Sequence, residues 1–284
     1  MKAPAFDYVK PSSLAQVFSL LETHGDDARI IAGGQSLLAT LNMRLSEPQL
    51  LLDINAIPGL SGITLHSDCV QIGALTRHCD IEDSALIAEH VPLLAMAAPF
   101  VAHRAIRNRG TLGGSIAFAD PAAEWPTCAV ALDASIVLAS RSGERRVKAK
   151  DFFQDLYTTA MEPGEIVTAC EFPLQPRAMR FAFDELARRR GDYAIVGLAA
   201  SGQFADGLLR QVRLVFLGTG NIPLRARAAE TAIEGKSLNA DTFEAARTAL
   251  ATELHPAADL YHSAEAKQHL ASVLMRRLLQ RLAA

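Results

Sequence analysis

The chain has 284 residues; hydrophobic residues make up 50% and charged residues 21%. That is ordinary globular composition and excludes a mostly disordered chain. At roughly 150 residues per domain, the length predicts about two domains. The 28 basic and 31 acidic residues leave a net charge of −3, which argues against nucleic acid as the main partner, because gripping a phosphate backbone needs a basic footprint.

The N-terminus, Met1-Lys2-Ala3-Pro4-Ala5-Phe6, has no apolar core and no cleavage signature, so a secretory signal is not expected. No apolar run approaches the ~18 residues of a membrane span; the longest candidate, Leu93 to Ala102, is broken by Pro99. Cysteines 69, 79, 128 and 170 lie far apart with no Cys-x-x-Cys pair. This argues against an iron–sulfur cluster or a structural zinc held by this chain. A cytoplasmic protein with reduced thiols is the expectation.

From Pro11 to His24 the apolar residues Leu14, Val17, Phe18 and Leu21 fall at helical spacing. Ser12 and Ser13 are candidate caps and Gly25 a candidate stop. Arg29 to Ala32 reads as a short strand running into Gly33-Gly34-Gln35-Ser36, and Leu37, Leu38, Leu41 and Leu45 then give a second helical pattern ended by Pro48. Leu50 to Ile54 reads as a buried strand, so the segment is a βαβ-like unit with a glycine corner where strand passes into helix.

Ile63–Leu65 and Val70–Ile72 are predicted to pair around a His66-Ser67-Asp68 turn. Helices are predicted over Ile81–His90, Pro92–Ala105 and Pro121–Leu132, and a strand over Ile136–Leu138. Between them, Thr111-Leu112-Gly113-Gly114-Ser115 forms a second glycine corner. Pro173 to Arg177 is the candidate linker. Beyond it, Ala194–Phe204 and Leu208–Leu217 read as a hairpin turning at Asp206-Gly207. Helical segments follow at Leu224–Glu234, Asp241–Leu254 and Ala264–Leu282, the last with Leu270, Val273, Leu274 and Leu278 on one face. The fold class is α+β, with two or three lobes and no internal repeat.

The two glycine corners carry the chemistry. A helix N-terminus leaves N–H groups unpaired and partly positive, and glycine lets an anion approach the backbone without an intervening Cβ. One Gly-Gly at a strand-to-helix turn is commonly just geometry. Two such corners, each ending in Ser, suit the two halves of a pyrophosphate. Neither is a Walker loop nor the Rossmann Gly-x-Gly-x-x-Gly fingerprint, which points to a dinucleotide held by a non-Rossmann site.

Four motifs together, Ala32-Gly33-Gly34-Gln35-Ser36-Leu37, Arg107 to Ser115, Ala119-Asp120-Pro121-Ala122-Ala123-Glu124, and Arg189-Arg190-Gly191-Asp192-Tyr193-Ala194-Ile195-Val196, resemble the flavin-binding medium subunit of molybdenum hydroxylases, the group that includes aerobic carbon monoxide dehydrogenase and the flavin domain of xanthine dehydrogenase. The resemblance runs over essentially the whole chain, in order. It implies a two-lobed FAD-binding domain of the vanillyl-alcohol-oxidase (PCMH) type over 1–175, with lobes of about 1–55 and 56–175, followed by a small C-terminal α+β domain over 176–284 with an antiparallel sheet and helices. It also implies that Ala32, Gly33, Gly34, Gln35, Ser36 and Leu37, with Thr111, Leu112, Gly113, Gly114 and Ser115, hold the FAD diphosphate through backbone N–H groups.

Glu124 falls where the family places a carboxylate near the adenosine-side ribose, and an acceptor-only carboxylate suits sugar hydroxyls; a helix-start charge is the alternative. Ile166 falls where an aliphatic side chain packs by the flavin, and a core strand is the other reading. Tyr193 matches a residue lying against the isoalloxazine ring, and a packed strand-start aromatic is the alternative. Arg188-Arg189-Arg190, His103-Arg104 and Arg107 read as a solvated face or as contacts to a partner subunit, and His78 and Cys79 as structural. Some relatives carry a lysine just before the arginine run; here the residues are Asp184-Glu185-Leu186-Ala187, so no lysine is assigned near the flavin. No catalytic acid–base pair and no metal site are expected in this chain. The resemblance implies partners: an iron–sulfur small subunit and a molybdopterin large subunit, assembled as a dimer of heterotrimers. The competing readings are a stand-alone flavin oxidoreductase of the same fold and a non-catalytic nucleotide-binding assembly module.

Overall fold

A computed structural model of the chain describes residues 2–284. Three main sheets follow one another along the sequence, each backed by its own helices, and a two-stranded ribbon adds a fourth.

The first lobe is β1 (Asp7–Val9), α1 (Leu14–His24), β2 (Ala28–Ile31), α2 (Leu37–Asn42) and β3 (Leu50–Asp53), with the strands parallel in the order β1-β3-β2. Ser13 caps α1 through its side chain and Gly25, at φ +49°, ends it, as the sequence predicts. α2 is shorter than its apolar pattern suggested. It stops at Asn42, and Leu45 is 71% exposed: the chain turns at Arg44, which sits at φ +56°, and breaks the helical phase before Leu45. β1 has no counterpart in the sequence reading, because three residues, Asp7-Tyr8-Val9, are too few for a period to show.

The second lobe comprises β4 (Ile63–Leu65), β5 (Cys69–Gly73), α3 (His78–Glu82), α4 (Ala85–His90), α5 (Pro92–Ala97), α6 (Arg104–Arg107), α7 (Leu112–Phe118), α8 (Glu124–Ala131), β6 (Ser135–Ser140), β7 (Gly143–Lys148), α9 (Ala149–Phe152), β8 (Phe153–Asp155), β9 (Thr158–Thr159) and β10 (Ile166–Pro173). Its main sheet runs β4-β5-β10-β6-β7, antiparallel throughout. The helix predicted over Ile81–His90 is two helices, because Ser84 caps a new one with its hydroxyl on the Ile87 N–H. The helix predicted to reach Ala105 ends at Ala97, where Pro99 lies in a 3₁₀ turn. The helix predicted from Pro121 begins at Glu124; Asp120 instead holds a turn, its carboxylate accepting the Ala122 N–H at 2.9 Å.

The third unit is β11 (Met179–Ala187), β12 (Ala194–Ala205), β13 (Leu208–Leu217), β14 (Leu224–Arg225), α10 (Arg227–Ile233), α11 (Ala240–Glu253) and α12 (Ala264–Ala283), with the antiparallel order β11-β12-β13-β14. Leu224 belongs to a strand rather than to the helix predicted there. On α12 the buried stripe is Ala271, Leu274, Met275, Leu278, Leu279 and Leu282, while Val273 is 37% exposed; the expected face is rotated by about one residue.

Strand alternation explains how the units join. On β13, Leu214 and Phe216 point to α10, α11 and α12, while Val215 and Leu217 point into the core of the second lobe. The third sheet is therefore buried on both faces, and Phe100 of the second lobe meets Phe183 of β11 at 5.3 Å between ring centroids. A smaller core joins the first lobe to the second sheet, with Val17, Leu50 and Leu52 meeting Leu75, Ala139 and Ile166. This arrangement places the two glycine corners side by side at the seam between the lobes.

Candidate cofactor site

The first corner leaves β2 at Ala32 and enters α2 at Leu37. Gly34 sits at φ +71°, a conformation that glycine adopts without strain. Leu38 N–H donates to the Gly34 carbonyl, and the Gln35 side-chain amide to the Gly33 carbonyl. Among the described residues, the backbone N–H groups of Gly33, Gly34, Gln35, Ser36 and Leu37 find no acceptor. Five successive unpaired donors on a partly exposed turn are an arrangement suited to an anion.

The second corner is built differently. Thr111 is buried, and its Oγ1 accepts the Gly114 N–H at 3.2 Å. The Leu112 N–H donates to Thr76 and the Gly113 N–H to Ala74, at 3.0 and 2.8 Å. Gly113 is glycine because a Cβ there would come 2.7 Å from the Ala74 Cα. The donors of this corner are thus already committed inside the protein. Gly114 is exposed, and a Cβ there would face only Thr111 Oγ1 and, at 4.0 Å, the Cβ of Ala32. The second corner therefore offers a smooth wall opposite the first, together with the half-buried Ser115.

The corners touch. A Cβ on Gly33 would overlap the Arg109 carbonyl oxygen and come 2.7 Å from the Gly110 Cα. Gly110 in turn lies against His78, whose Nδ1 accepts the Trp125 indole N–H at 3.0 Å. Burial, with Arg107 and Arg77 nearby, drives the His78 pKa down to about 3, so the ring is neutral and its proton is on Nε2. His78 is structural, as the sequence reading has it.

The wall beyond Gly114 carries acids and aromatics. Glu124 opens α8. Burial pushes its pKa up to about 7, with Asp120 adding to the shift and Arg107 opposing it. Tyr193 is 71% exposed and lies within electrostatic reach of Asp120 and Glu124. The Phe118 and Tyr157 rings meet at 5.0 Å, and Tyr157 also feels Asp120 and Tyr193. Asp120, Glu124, Tyr157 and Tyr193 thus come together. Ile166 does not share this surface: it is 2% exposed and packs with the first-lobe core. Next to the wall, a cavity of about 320 Å3 is lined by Pro99, Phe100, Glu185, Ala187 and Arg189 to Gly191.

Glu185 had no role in the sequence reading. It is 9% exposed and its Oε2 has no hydrogen-bond partner. Burial pushes its pKa up to about 8, with Glu124 and Asp184 adding, so it is largely neutral at pH 7. The signal was its phase: along β11 it shares a face with Phe181 and Phe183. Arg107 is neither solvated nor free for a partner. Its guanidinium grips Glu82 at 2.8 and 3.1 Å and donates to the Val101 and Ala102 carbonyls. Arg104 reaches Glu82 and Asp83.

Known proteins resemble this chain over nearly its whole length. Residues 4–175 match the FAD binding domain in molybdopterin dehydrogenase, and residues 181–282 match the CO dehydrogenase flavoprotein C-terminal domain. The 6-hydroxypseudooxynicotine dehydrogenase complex subunit alpha of Paenarthrobacter nicotinovorans is 40% identical over 98% of this chain and 95% of its own length. A quinoline 2-oxidoreductase structure from Pseudomonas putida 86 superposes with a TM-score of 0.95 at 37% identity, covering 100% of this chain and 98% of the other. A carbon monoxide dehydrogenase structure from Hydrogenophaga pseudoflava gives 0.95 at 36%, covering 99% and 98%.

Proposed function

The chain belongs to the family of FAD-binding medium subunits of molybdenum hydroxylases, and from that premise we propose that it takes electrons from an iron–sulfur subunit and delivers them to an external acceptor. The observation that carries this reading is the pairing of the corners: five unpaired N–H groups over Gly33 to Leu37 face a side-chain-free wall at Gly114. That cradle fits the diphosphate of FAD.

In this reading the first corner binds the diphosphate through its amides. Thr111, Leu112 and Gly113 hold the wall in place, and Gly114 and Ser115 present it. Tyr193 lies against the flavin ring, Glu124 serves the polar edge of the cofactor, and Ile166 supports the lobe seam from within. FAD supplies the ability to accept electrons singly and release them as a pair, which suits a position between a one-electron relay and a two-electron acceptor. The protein's own task is to bind, orient and shield it. The four cysteines do not gather: Cys69 and Cys79 are partly exposed on separate elements, and Cys128 and Cys170 are buried. The relay is therefore assigned to another chain, and substrate oxidation to a molybdopterin subunit, in a cytoplasmic dimer of heterotrimers.

The test is to purify the tagged chain from its native host and analyse what accompanies it. Three chain types, flavin, iron and molybdenum are expected. Full activity toward an organic or gaseous substrate from this chain alone would refute the division of labour.

A further inference from the structure

We infer that Asn55 and Arg77 form a brace that sets the width of the diphosphate cleft by tying the first glycine corner to the second. This rests on the reading that the corners flank the FAD diphosphate. The Asn55 Nδ2 donates to the Ala32 carbonyl at 2.8 Å, at the root of the first corner. The Asn55 Oδ1 accepts from Arg77 Nη2 at 2.7 Å. The other terminal nitrogen of Arg77, Nη1, donates to the Arg109 carbonyl. That carbonyl is the one against which Gly33 rests. The corners are therefore joined twice: once by direct contact, and once by a path of three hydrogen bonds through two side chains.

The orientation of the brace is over-determined. Asp53 Oδ1 accepts both the Asn55 backbone N–H, at 2.9 Å, and the Asn55 Nδ2, at 2.7 Å. Its second oxygen accepts the Tyr8 hydroxyl. Nδ2 thus faces two acceptors and Oδ1 faces a donor, which leaves only one orientation for the amide. Against the cost of burial, the bonds from Tyr8 and Asn55 and the charge of Lys10 hold the Asp53 carboxyl below its usual pKa, so the acceptor stays ionised. Arg77 contributes a planar fork that spans two acceptors on different elements, a task a lysine ammonium cannot duplicate. Both acceptors are neutral. Burial and the neighbouring Arg109 cation also depress Arg77, with Asp80 and Asp53 opposing.

The need for a brace follows from the corners themselves. α2 has six residues, too short to be rigid alone, and the turn that leads into it carries amides that have no internal acceptor. A cleft whose width was set only by the Gly33 contact could open. The Asn55–Arg77 path resists that opening without occupying the cleft.

The experiment uses the full chain in its assembled complex, stripped of flavin and titrated with FAD. Asn55→Ala, Arg77→Lys and their combination are compared with Gly114→Val, with thermal unfolding and the 31P resonances of bound FAD as parallel readouts. Asn55→Ala and Arg77→Lys are each expected to weaken FAD at least tenfold and to shift the 31P resonances, with little change in unfolding temperature. The double variant is expected to be no weaker than the worse single variant, because one path is cut twice. If Gly114→Val loses FAD while Asn55→Ala and Arg77→Lys bind it like the wild type, the brace is overturned and the flavin reading stands. If Arg77→Lys alone binds normally, charge rather than the fork is what counts, and the brace is overturned again. If Gly114→Val also binds normally, the flavin reading fails and takes the brace with it. Should Asn55→Ala not accumulate, Asn55→Ser, too short to join Ala32 to Arg77, is expected to give the same loss.

Discussion

The Cα of Gly33 rests against the carbonyl oxygen of Arg109, with no room for a methyl group between them. This one contact explains why the first corner starts with glycine. The residue is small there to admit the other corner, not only to admit a ligand. The expectation is that Gly33→Ala forces the lobes apart and costs about 1–3 kcal/mol, as overpacking does, with a fall of several degrees in unfolding temperature and loss of flavin. Differential scanning fluorimetry and flavin content per chain measure both.

Gly114 behaves differently, because its missing side chain faces the cleft. Gly114→Ala crowds only the Thr111 hydroxyl. At most it weakens a helix cap, which costs about 1 kcal/mol. Gly114→Val adds bulk where the diphosphate is placed. A soluble Gly114→Val chain with near-native unfolding temperature and little flavin is the expected result; full flavin occupancy in that variant counts against the site.

Three buried groups give stability a pH profile with opposite legs: Glu124 and Glu185 act on the alkaline side and His78 on the acid side. Glu185 titrates near 8 in the fold, against 4.5 ordinarily. The folded chain holds its proton where the unfolded chain does not, so this contribution is present below about pH 4.5 and is lost as pH rises toward and through 8. His78 titrates near 3 against 6.5. The unfolded chain takes up that proton first, so stability is lost as pH falls from 6.5 toward 3. Glu185→Gln is expected to shorten the alkaline leg, with Glu124 retaining its own part: the variant's unfolding temperature should exceed the wild type's at pH 9 by more than at pH 5. Equal differences at the two pH values would show that Glu185 does not titrate in this way.

The sequence made the corners legible because glycine between an apolar strand and a helical pattern is a local signal. So was the capped helix at Ser13, and so was the Asp206-Gly207 hairpin. What was hidden depended on partners distant in the chain. Nothing near Asn55 announces that it reaches both Ala32 and Arg77, and nothing near Arg107 announces Glu82. The free donors at Gly33–Leu37 and the committed ones at Leu112–Gly114 look alike as sequence. They differ because Thr76 and Ala74 stand beside only the second corner. The apolar pattern also overran α2 at Leu45, where the backbone has already turned, and set Val273 on the buried face of α12, which is rotated away from it.

Arg107 holds the turn on which the C-terminal unit rests. Its guanidinium donates to the carbonyls of Val101 and Ala102, and a Cβ on Gly191, itself at φ +78°, would come 3.0 Å from the Ala102 oxygen and 2.5 Å from His103 Nδ1. Arg107→Met leaves the Glu82 carboxylate to Arg104 alone and takes the donor from the Val101 and Ala102 carbonyls. Each buried acceptor left without a partner costs about 1–3 kcal/mol. The expected outcome is a large drop in unfolding temperature, partly recovered in Arg107→Met/Glu82→Gln. Thermal melts of the three chains decide it; additive losses would mean that the two residues do not act as a pair.

Tyr193 separates a cofactor role from a packing role most directly. An aromatic residue that is 71% exposed buries little apolar area in this chain, so Tyr193→Ala should leave the unfolding temperature of the flavin-free protein within about a degree, as surface substitutions do. Against a flavin the same ring buries a full face. Tyr193→Ala is therefore expected to shift the visible flavin absorption band, raise flavin fluorescence and speed cofactor loss, while Tyr193→Phe keeps the stacking surface and the wild-type spectrum. A large stability loss in Tyr193→Ala with an unaltered flavin spectrum would instead make the ring an ordinary packed aromatic. The neighbouring turn points to the first outcome: Asp192 accepts the Tyr193 N–H at 3.0 Å, fixing the backbone and leaving the ring open toward the side where Asp120 and Glu124 lie.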